Sequence, residues 1–133
     1  MFYILIKNPE HYLVVKQKLT EFCCDIYDVR GVLLNNTDAS EIYADIKTQP
    51  YFQNAVDSIK NRTVLILRFS HAFMNLEEIK KNIQGPYGNF DDSTIRGYIT
   101  IYLNNGIVDS FVHVPDTISS VERDLFIFSR CCS

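Results

Sequence analysis

Phe2-Tyr3-Ile4-Leu5-Ile6, residues 2–6, is an unbroken apolar run. A strand with one wet face alternates apolar and polar side chains, so a run without a polar member predicts a strand covered on both faces. Its place is the middle of a sheet. Thr63 to Phe69, with Val64-Leu65-Ile66-Leu67 ahead of Arg68, reads as a second such strand. Just after the first run, Asn8, Pro9 and Glu10 supply an N-cap, a proline at the first helical position and an acid in the first turn. Tyr12, Val15, Leu19, Phe22 and Cys23 then recur at helical spacing opposite Lys16, Gln17 and Thr20, predicting a helix packed on the sheet.

Between the two apolar runs, Ile26 to Leu34 is rich in β-branched and aromatic residues and predicts a further strand, with Asn35-Asn36 as its turn. Asp38 can cap a short helix carrying Ile42, Tyr43 and Ile46, and Pro50 opens another with Phe52, Ala55, Val56 and Ile59 on one face. Asn75 with Glu78 has the form of a capping box before Leu76, Ile79 and Ile83, a helix that Gly85-Pro86 stops. Gly85 to Gly97 reads as an irregular loop, of a length that is often functional. Tyr98 to Leu103 and Ile107 to His113 flank Asn104-Asn105-Gly106, a hairpin pattern. Ser119 and Glu122 form a second capping-box pattern ahead of Val121, Leu125, Phe126 and Phe128, the last helix. This order predicts the α+β class, a ferredoxin-like split βαβ sandwich with an antiparallel sheet and helices packed on it.

At 133 residues the chain has the size of one domain spanning 1–133, able to bury roughly two-thirds of its unfolded surface. Its net charge of −3 builds in no long-range attraction to a polyanion, so no specific nucleic acid is expected and any phosphate site must be local. The longest apolar stretches have about seven residues against the ~20 that cross a bilayer, which predicts a soluble, cytoplasmic protein without membrane contact. The adjacent pairs Cys23-Cys24 and Cys131-Cys132 match neither a zinc knuckle nor a redox motif, and reduced thiols are expected. Arg130 stands where a prenylation box needs its cysteine.

Three histidines are present, His11, His71 and His113. His113 closes an apolar run, where a strand end would hold it rigidly beside a loop, and Asp116 and Asp124 follow. An imidazole needs an orienting acceptor on one nitrogen if the other is to be a committed nucleophile. On spacing alone a structural histidine and a nucleophile both remain open. Likewise Lys7 can solvate a strand end, Lys80 and Lys81 a helix's wet face, and Tyr51 can be core. Arg96 lies beside Gly97 in the glycine-rich stretch, where a phosphate is a fitting counter-charge.

The segment Phe111-Val112-His113-Val114-Pro115-Asp116-Thr117, continuing through Ser120, Glu122, Arg123 and Asp124, resembles the active-site signature of nucleoside diphosphate kinases. There an apolar pair precedes His-Gly-Ser-Asp-Ser and a Ser-Ala-Glu helix follows. Ile4-Leu5-Ile6-Lys7 resembles that family's opening strand and lysine, Tyr43 with Pro50-Tyr51-Phe52 its Tyr and Pro-Phe-Phe pattern, and Thr94-Ile95-Arg96-Gly97 its Thr-Ile-Arg-Gly. The blocks occur in the family's order and span almost the whole chain.

The resemblance implies a phosphotransferase working by a ping-pong mechanism. His113 would take the γ-phosphoryl group of a nucleoside triphosphate, and the phosphohistidine would pass it to a nucleoside diphosphate. It further implies that Lys7 and Arg96 hold phosphate oxygens, that Lys81 stands where an arginine usually does so, and that Tyr43 lies beside the histidine. Tyr51 takes the place of the aromatic that stacks on the base. A magnesium ion would bridge the phosphates, with Asp116 able to reach it through water. Homo-oligomers, hexamers or tetramers, are the family's habit, built through the sheet edge and the glycine-rich loop.

The chain also departs from the pattern. Val114-Pro115 replace Gly-Ser, removing a hydroxyl, and Asp124 replaces the glutamate that orients the histidine, one methylene shorter. Ser110 stands for an asparagine that contacts the nucleotide, Tyr87 for a threonine near the phosphates, and Lys81 lacks an arginine's bidentate fork. Two functions are therefore expected to compete: a working kinase, and a nucleotide-binding, weakly active or inactive relative serving as a regulatory or interaction module.

Overall fold

The computed structural model describes residues 1–85, 91–107 and 109–131. Four strands, β1 (Phe2–Ile6), β2 (Asp25–Leu34), β3 (Arg62–Ser70) and β4 (Val112–His113), form one antiparallel sheet in the order β2-β3-β1-β4. Helices α1 (Tyr12–Glu21), α2 (Asn36–Ile42), α3 (Phe52–Ile59), α4 (Leu76–Ile83), α5 (Ile95–Leu103) and α6 (Ile118–Arg130) pack on it. This is the expected α+β, ferredoxin-like arrangement. No helix among the described residues is long and apolar enough to cross a membrane.

The apolar run at 2–6 lies inside the sheet, between β3 and β4. Tyr3, Ile4, Leu5 and Ile6 are each 0% exposed, and burying side chains of this size contributes about 2 kcal/mol apiece. Successive side chains of a strand point to opposite faces. Tyr3 points toward α6, where its ring meets Phe128 edge-on with centroids 5.0 Å apart. The same alternation sends Lys7, just past the strand, toward the α6 side, and this places a cation beside β4.

Several local expectations need correction. Tyr98 to Leu103 is helix, not strand, and of the strand expected over 107–113 the described residues form only Val112–His113, residue 108 lying outside them. The isoleucines and tyrosines favour a strand, but Thr94 accepts from the Gly97 amide as an N-cap, and Ile95, Arg96, Ile99 and Thr100 form one buried helical face. Tertiary burial overrides propensity here. Asn105 and Gly106, both at positive φ, turn the chain out of α5 rather than closing a hairpin. The cap of α2 is Asn35, accepting from the Asp38 amide, and that of α6 is Thr117, accepting from the Ser120 amide, in place of Asp38 and Ser119. The Asn75–Glu78 capping box forms as read. Cys23, placed on the apolar face of the first helix, is instead exposed at φ 63° beyond its end.

Candidate active site

Antiparallel pairing of β1 with β4 sets Leu5 opposite His113 and Ile6 opposite Val112. The register extends one step further, since the Lys7 amide donates to the Phe111 carbonyl at 3.1 Å. A lysine and a histidine distant in sequence thus meet at one end of the sheet. His113 lines a cleft of about 740 Å³ together with residues of α3, α4, α5 and the loops around β4, and Lys7 is bonded to two residues of its wall, Ser58 and Ser110.

His113 lies on the cleft wall, its ring centroid 4.8 Å from that of Tyr43 and 6.5 Å from that of Tyr3. Its Nε2 is closed off from solvent, with no described residue in hydrogen-bonding reach. His113 lines the cleft and its Nε2 is closed off, which leaves Nδ1 as the nitrogen available to a ligand there. Burial holds the imidazole well below its ordinary pKa, and the charges of Lys80, Lys7 and Arg123 push the same way. The result is a neutral ring with a lone pair, the state a nucleophile requires. Burial raises the Tyr43 phenol, which therefore stays protonated.

Lys7 is only 5% exposed. Its Nζ donates to Ser58 Oγ at 2.8 Å and to Ser110 Oγ at 2.6 Å. Burial lowers its pKa to about 8, with Asp109 opposing and Arg62 and Arg96 assisting. Arg96 lies in the first turn of α5, not in a loop, and donates to the Gly85 carbonyl at 2.6 Å while lining the cleft. A β-carbon on Gly97 would lie 1.8 Å from the Asp91 carbonyl oxygen. Only glycine lets the chain before α5 fold back so closely, which fixes where the helix begins and so where Arg96, in its first turn, stands.

The expected basic residue of α4 changes identity. Lys81 is exposed and stands outside the cleft, whereas Lys80 lines it, donating to the Val114 carbonyl at 2.6 Å and pairing with Asp116 at 2.8 Å. Adjacent helix positions differ by about 100° around the axis, so a one-residue error in register exchanges the wet face for the cleft. Gln84, one turn on from Lys80, accepts from the Val114 amide at 3.0 Å and also lines the cleft. Tyr51, 53% exposed, stands at the lip beside Asn54. Tyr87 lies outside the described residues.

Asp124, expected to orient His113, does not touch it. Fully buried, it accepts from Tyr3 Oη at 2.6 Å and from Arg123 Nε at 2.9 Å. Arg123 reaches on to Asp45 at 3.5 Å and to the Ile42 carbonyl at 3.1 Å, and Asp45 accepts from Ser120 Oγ at 2.6 Å. Burial pushes the Asp124 carboxyl up to about 6, against the opposing hydrogen bonds from Tyr3 and Arg123. This buried chain of polar groups behind the imidazole was not visible in the sequence. Tyr3 reads there as one more core aromatic, and Asp45, Ser58 and Lys80 carry no motif of their own.

Among the described residues no group of three or more His, Cys, Asp or Glu gathers as a metal site. A divalent cation fits only as a companion of phosphate oxygens, with Asp109 and Asp116 as exposed carboxylates on the cleft, the latter paired with Lys80.

By sequence alone, no protein-family model matches the chain and no curated protein does. Solved structures do. A nucleoside diphosphate kinase from Encephalitozoon cuniculi superposes with a TM-score of 0.74 at 17% identity, covering 96% of this chain and 88% of its own. That of Aquifex aeolicus gives 0.66 at 15%, covering 94% and 91%. A transition-state mimic of the Borrelia burgdorferi enzyme, with bound vanadate and ADP, gives 0.67 at 14%, covering 100% and 90%. Likeness at such identities is a statement about backbone, and what it establishes is that this chain has the fold of the nucleoside diphosphate kinases.

Proposed function

We propose that the chain is a nucleoside diphosphate kinase whose nucleophile is His113. The observation that carries this reading is a neutral, half-buried imidazole on the wall of a cleft that also holds Arg96 and Lys80, with Lys7 at its edge. In the first half-reaction the Nδ1 lone pair attacks the γ-phosphorus of a nucleoside triphosphate. The bond from that phosphorus to the bridging oxygen breaks, its electron pair leaves with the diphosphate, and Nε2 keeps its proton. The second half-reaction runs the same step in reverse onto the terminal phosphate oxygen of another diphosphate. No proton changes residue, so catalysis reduces to positioning and to neutralising phosphate charge.

Lys80 and Arg96 are suited to equatorial phosphate oxygens, and Lys7, reaching across to Ser110, to the nucleotide where sugar and phosphates join. Tyr51 at the lip offers a π-face to any base, consistent with broad base tolerance. Asp116 would meet the water shell of a nucleotide-borne magnesium ion, which would supply charge neutralisation. The exposed apolar side chains of the edge strand β2, Tyr27, Val29 and Leu33, fit assembly into a homo-oligomer, a hexamer or tetramer, of a cytoplasmic enzyme.

A second reading, a nucleotide-binding relative with little transfer activity, draws on one observation: Asp124 is spent on Tyr3 and Arg123 rather than on His113. Incubation with γ-labelled ATP separates the two. The kinase forms an acid-labile, base-stable phosphoprotein that discharges onto added diphosphate and is abolished by His113→Ala. Tight ADP binding without such label favours the module.

A further inference from the structure

The buried polar chain behind the imidazole ends one group short. Tyr3 Oη donates to Asp124 Oδ2 at 2.6 Å, Arg123 Nε donates to Oδ1 at 2.9 Å, and the buried imidazole nitrogen His113 Nε2 has no partner among the described residues. The Tyr3 ring lies 6.5 Å from the imidazole, centroid to centroid, and is itself fully buried. The residue whose hydroxyl occupies the carboxylate thus packs near the ring that lacks an acceptor.

A buried donor without an acceptor is costly, and the cost grows when the donor carries charge. Phosphorylation at Nδ1 does this. The ring that forms a bond to phosphorus through Nδ1 while keeping the proton on Nε2 gains imidazolium character, and its Nε2–H then calls for an anion. Asp124 is the buried acid among the described residues, and it is bonded to the Tyr3 side chain that packs near the ring. Its two oxygens offer more acceptor sites than Tyr3 and Arg123 fill, but the 2.6 Å bond to Tyr3 fixes which way the carboxylate faces. Burial, reinforced by Asp124, keeps the Tyr3 hydroxyl protonated, so it stays a donor.

We propose that Tyr3 is a positioning residue that holds Asp124 away from His113 in the resting chain and yields it to Nε2 when Nδ1 takes the phosphoryl group. The inference rests on the kinase reading for its second half only. No bond beyond those of the transfer forms or breaks, and no proton leaves Tyr3, Asp124 or Nε2. The Tyr3–Asp124 hydrogen bond is exchanged for one from Nε2–H.

Two variants of the same shape move the hydroxyl's hold in opposite directions. Tyr3→Phe keeps the edge contact with Phe128 and removes the donor, whereas 3,5-difluorotyrosine installed at position 3 makes a stronger donor. The reading is the titration of His113 by its ring proton resonances in the full chain, beside the rate of labelling by γ-labelled ATP. With Tyr3→Phe the freed carboxylate raises the His113 pKa by about one unit and labelling quickens. With difluorotyrosine both move the other way. An unchanged His113 titration in a folded variant overturns the proposal, as does a shift of the same sign in both. If Tyr3→Phe does not fold, the difluorotyrosine chain decides alone. If the titration shifts as expected and no chain takes label, the kinase reading fails while the hold of Tyr3 on Asp124 stands.

Discussion

Lys7 Nζ lies 2.6 Å from Ser110 Oγ, a bond that ties the end of β1 to the segment entering β4 across the floor beside His113. Both residues were singled out as nucleotide contacts, and neither hydroxyl partner of Lys7 is an anion. The lysine is therefore a buried cation without a carboxylate in hydrogen-bonding contact, and burial has brought its pKa down to about 8 from 10.5.

That shift has a sign. Between pH 8 and 10.5 the unfolded chain holds more protons at this residue than the folded one, so its contribution to stability rises with pH across that window. At neutral pH the buried charge costs on the order of 3 kcal/mol. Lys7→Met is expected to leave the fold as stable as before, or more so, in urea denaturation at pH 7. The same variant weakens ADP binding about a hundredfold, the usual loss when a charged phosphate contact is removed. In the unaltered chain ADP affinity falls as pH passes 8, which titration calorimetry across that range reads directly.

Gly97 has no tolerance for a side chain. Its missing β-carbon would overlap the Asp91 carbonyl at 1.8 Å, a backbone atom that cannot swing aside. Gly97→Ala is expected to lower stability by about 3 kcal/mol and to displace Arg96, so thermal melting and nucleotide affinity fall together. A variant that melts normally would show that the chain before α5 relaxes at little cost.

The sheet was legible because its evidence is local. A five-residue apolar run at 2–6 can only be central, and Asn75 with Glu78 caps a helix by hydrogen bonds three residues apart. What failed depended on burial by distant parts of the chain. Tyr98 to Leu103 carries strand-forming residues, yet it is helical because Ile95 and Ile99 share a buried face. Lys7, Tyr43, Arg96, Ser110 and His113 converge, their positions set by strand ends and caps that pattern can locate. Lys80 was missed for its neighbour Lys81, since no periodicity reads a helix's rotation to within one residue. Tyr3 was missed because a phenol in an apolar run looks like core until its partner, 121 residues away, is known.

Lys80 and Lys81 offer a matched pair. Lys80 lies on the cleft with its ammonium shared between Asp116 and the Val114 carbonyl, and Lys81 stands exposed outside it. Lys80→Met is expected to lower phosphoryl transfer about a hundredfold, and Lys81→Met to leave it unchanged. Lys80 is also the largest charge holding the His113 pKa down, so its removal raises that pKa and moves the acid limb of the rate profile to higher pH. Equal losses in the two variants would show that the helix turns a different face to the substrate.

Asp124 gives the opposite sign to Lys7. Its pKa is raised from 3.8 to about 6 by complete burial, so between those values the folded chain holds more protons than the unfolded one. Its contribution is present below 3.8 and is lost as pH rises through 6, by on the order of 3 kcal/mol. His113, lowered by burial, works in the other direction over the overlapping range below 6.5, and the raw pH curve of stability mixes the two. The difference between the unaltered chain and Asp124→Asn isolates the carboxyl, because the asparagine does not titrate and the imidazole is common to both. Urea denaturation at successive pH values should show the wild type losing stability relative to the variant between pH 4 and 6, with the gap constant above. A gap that does not change across that range would mean that Tyr3 and Arg123 hold the carboxylate ionised despite its burial. The polar chain behind His113 would then be a fixed anion rather than a group poised to titrate.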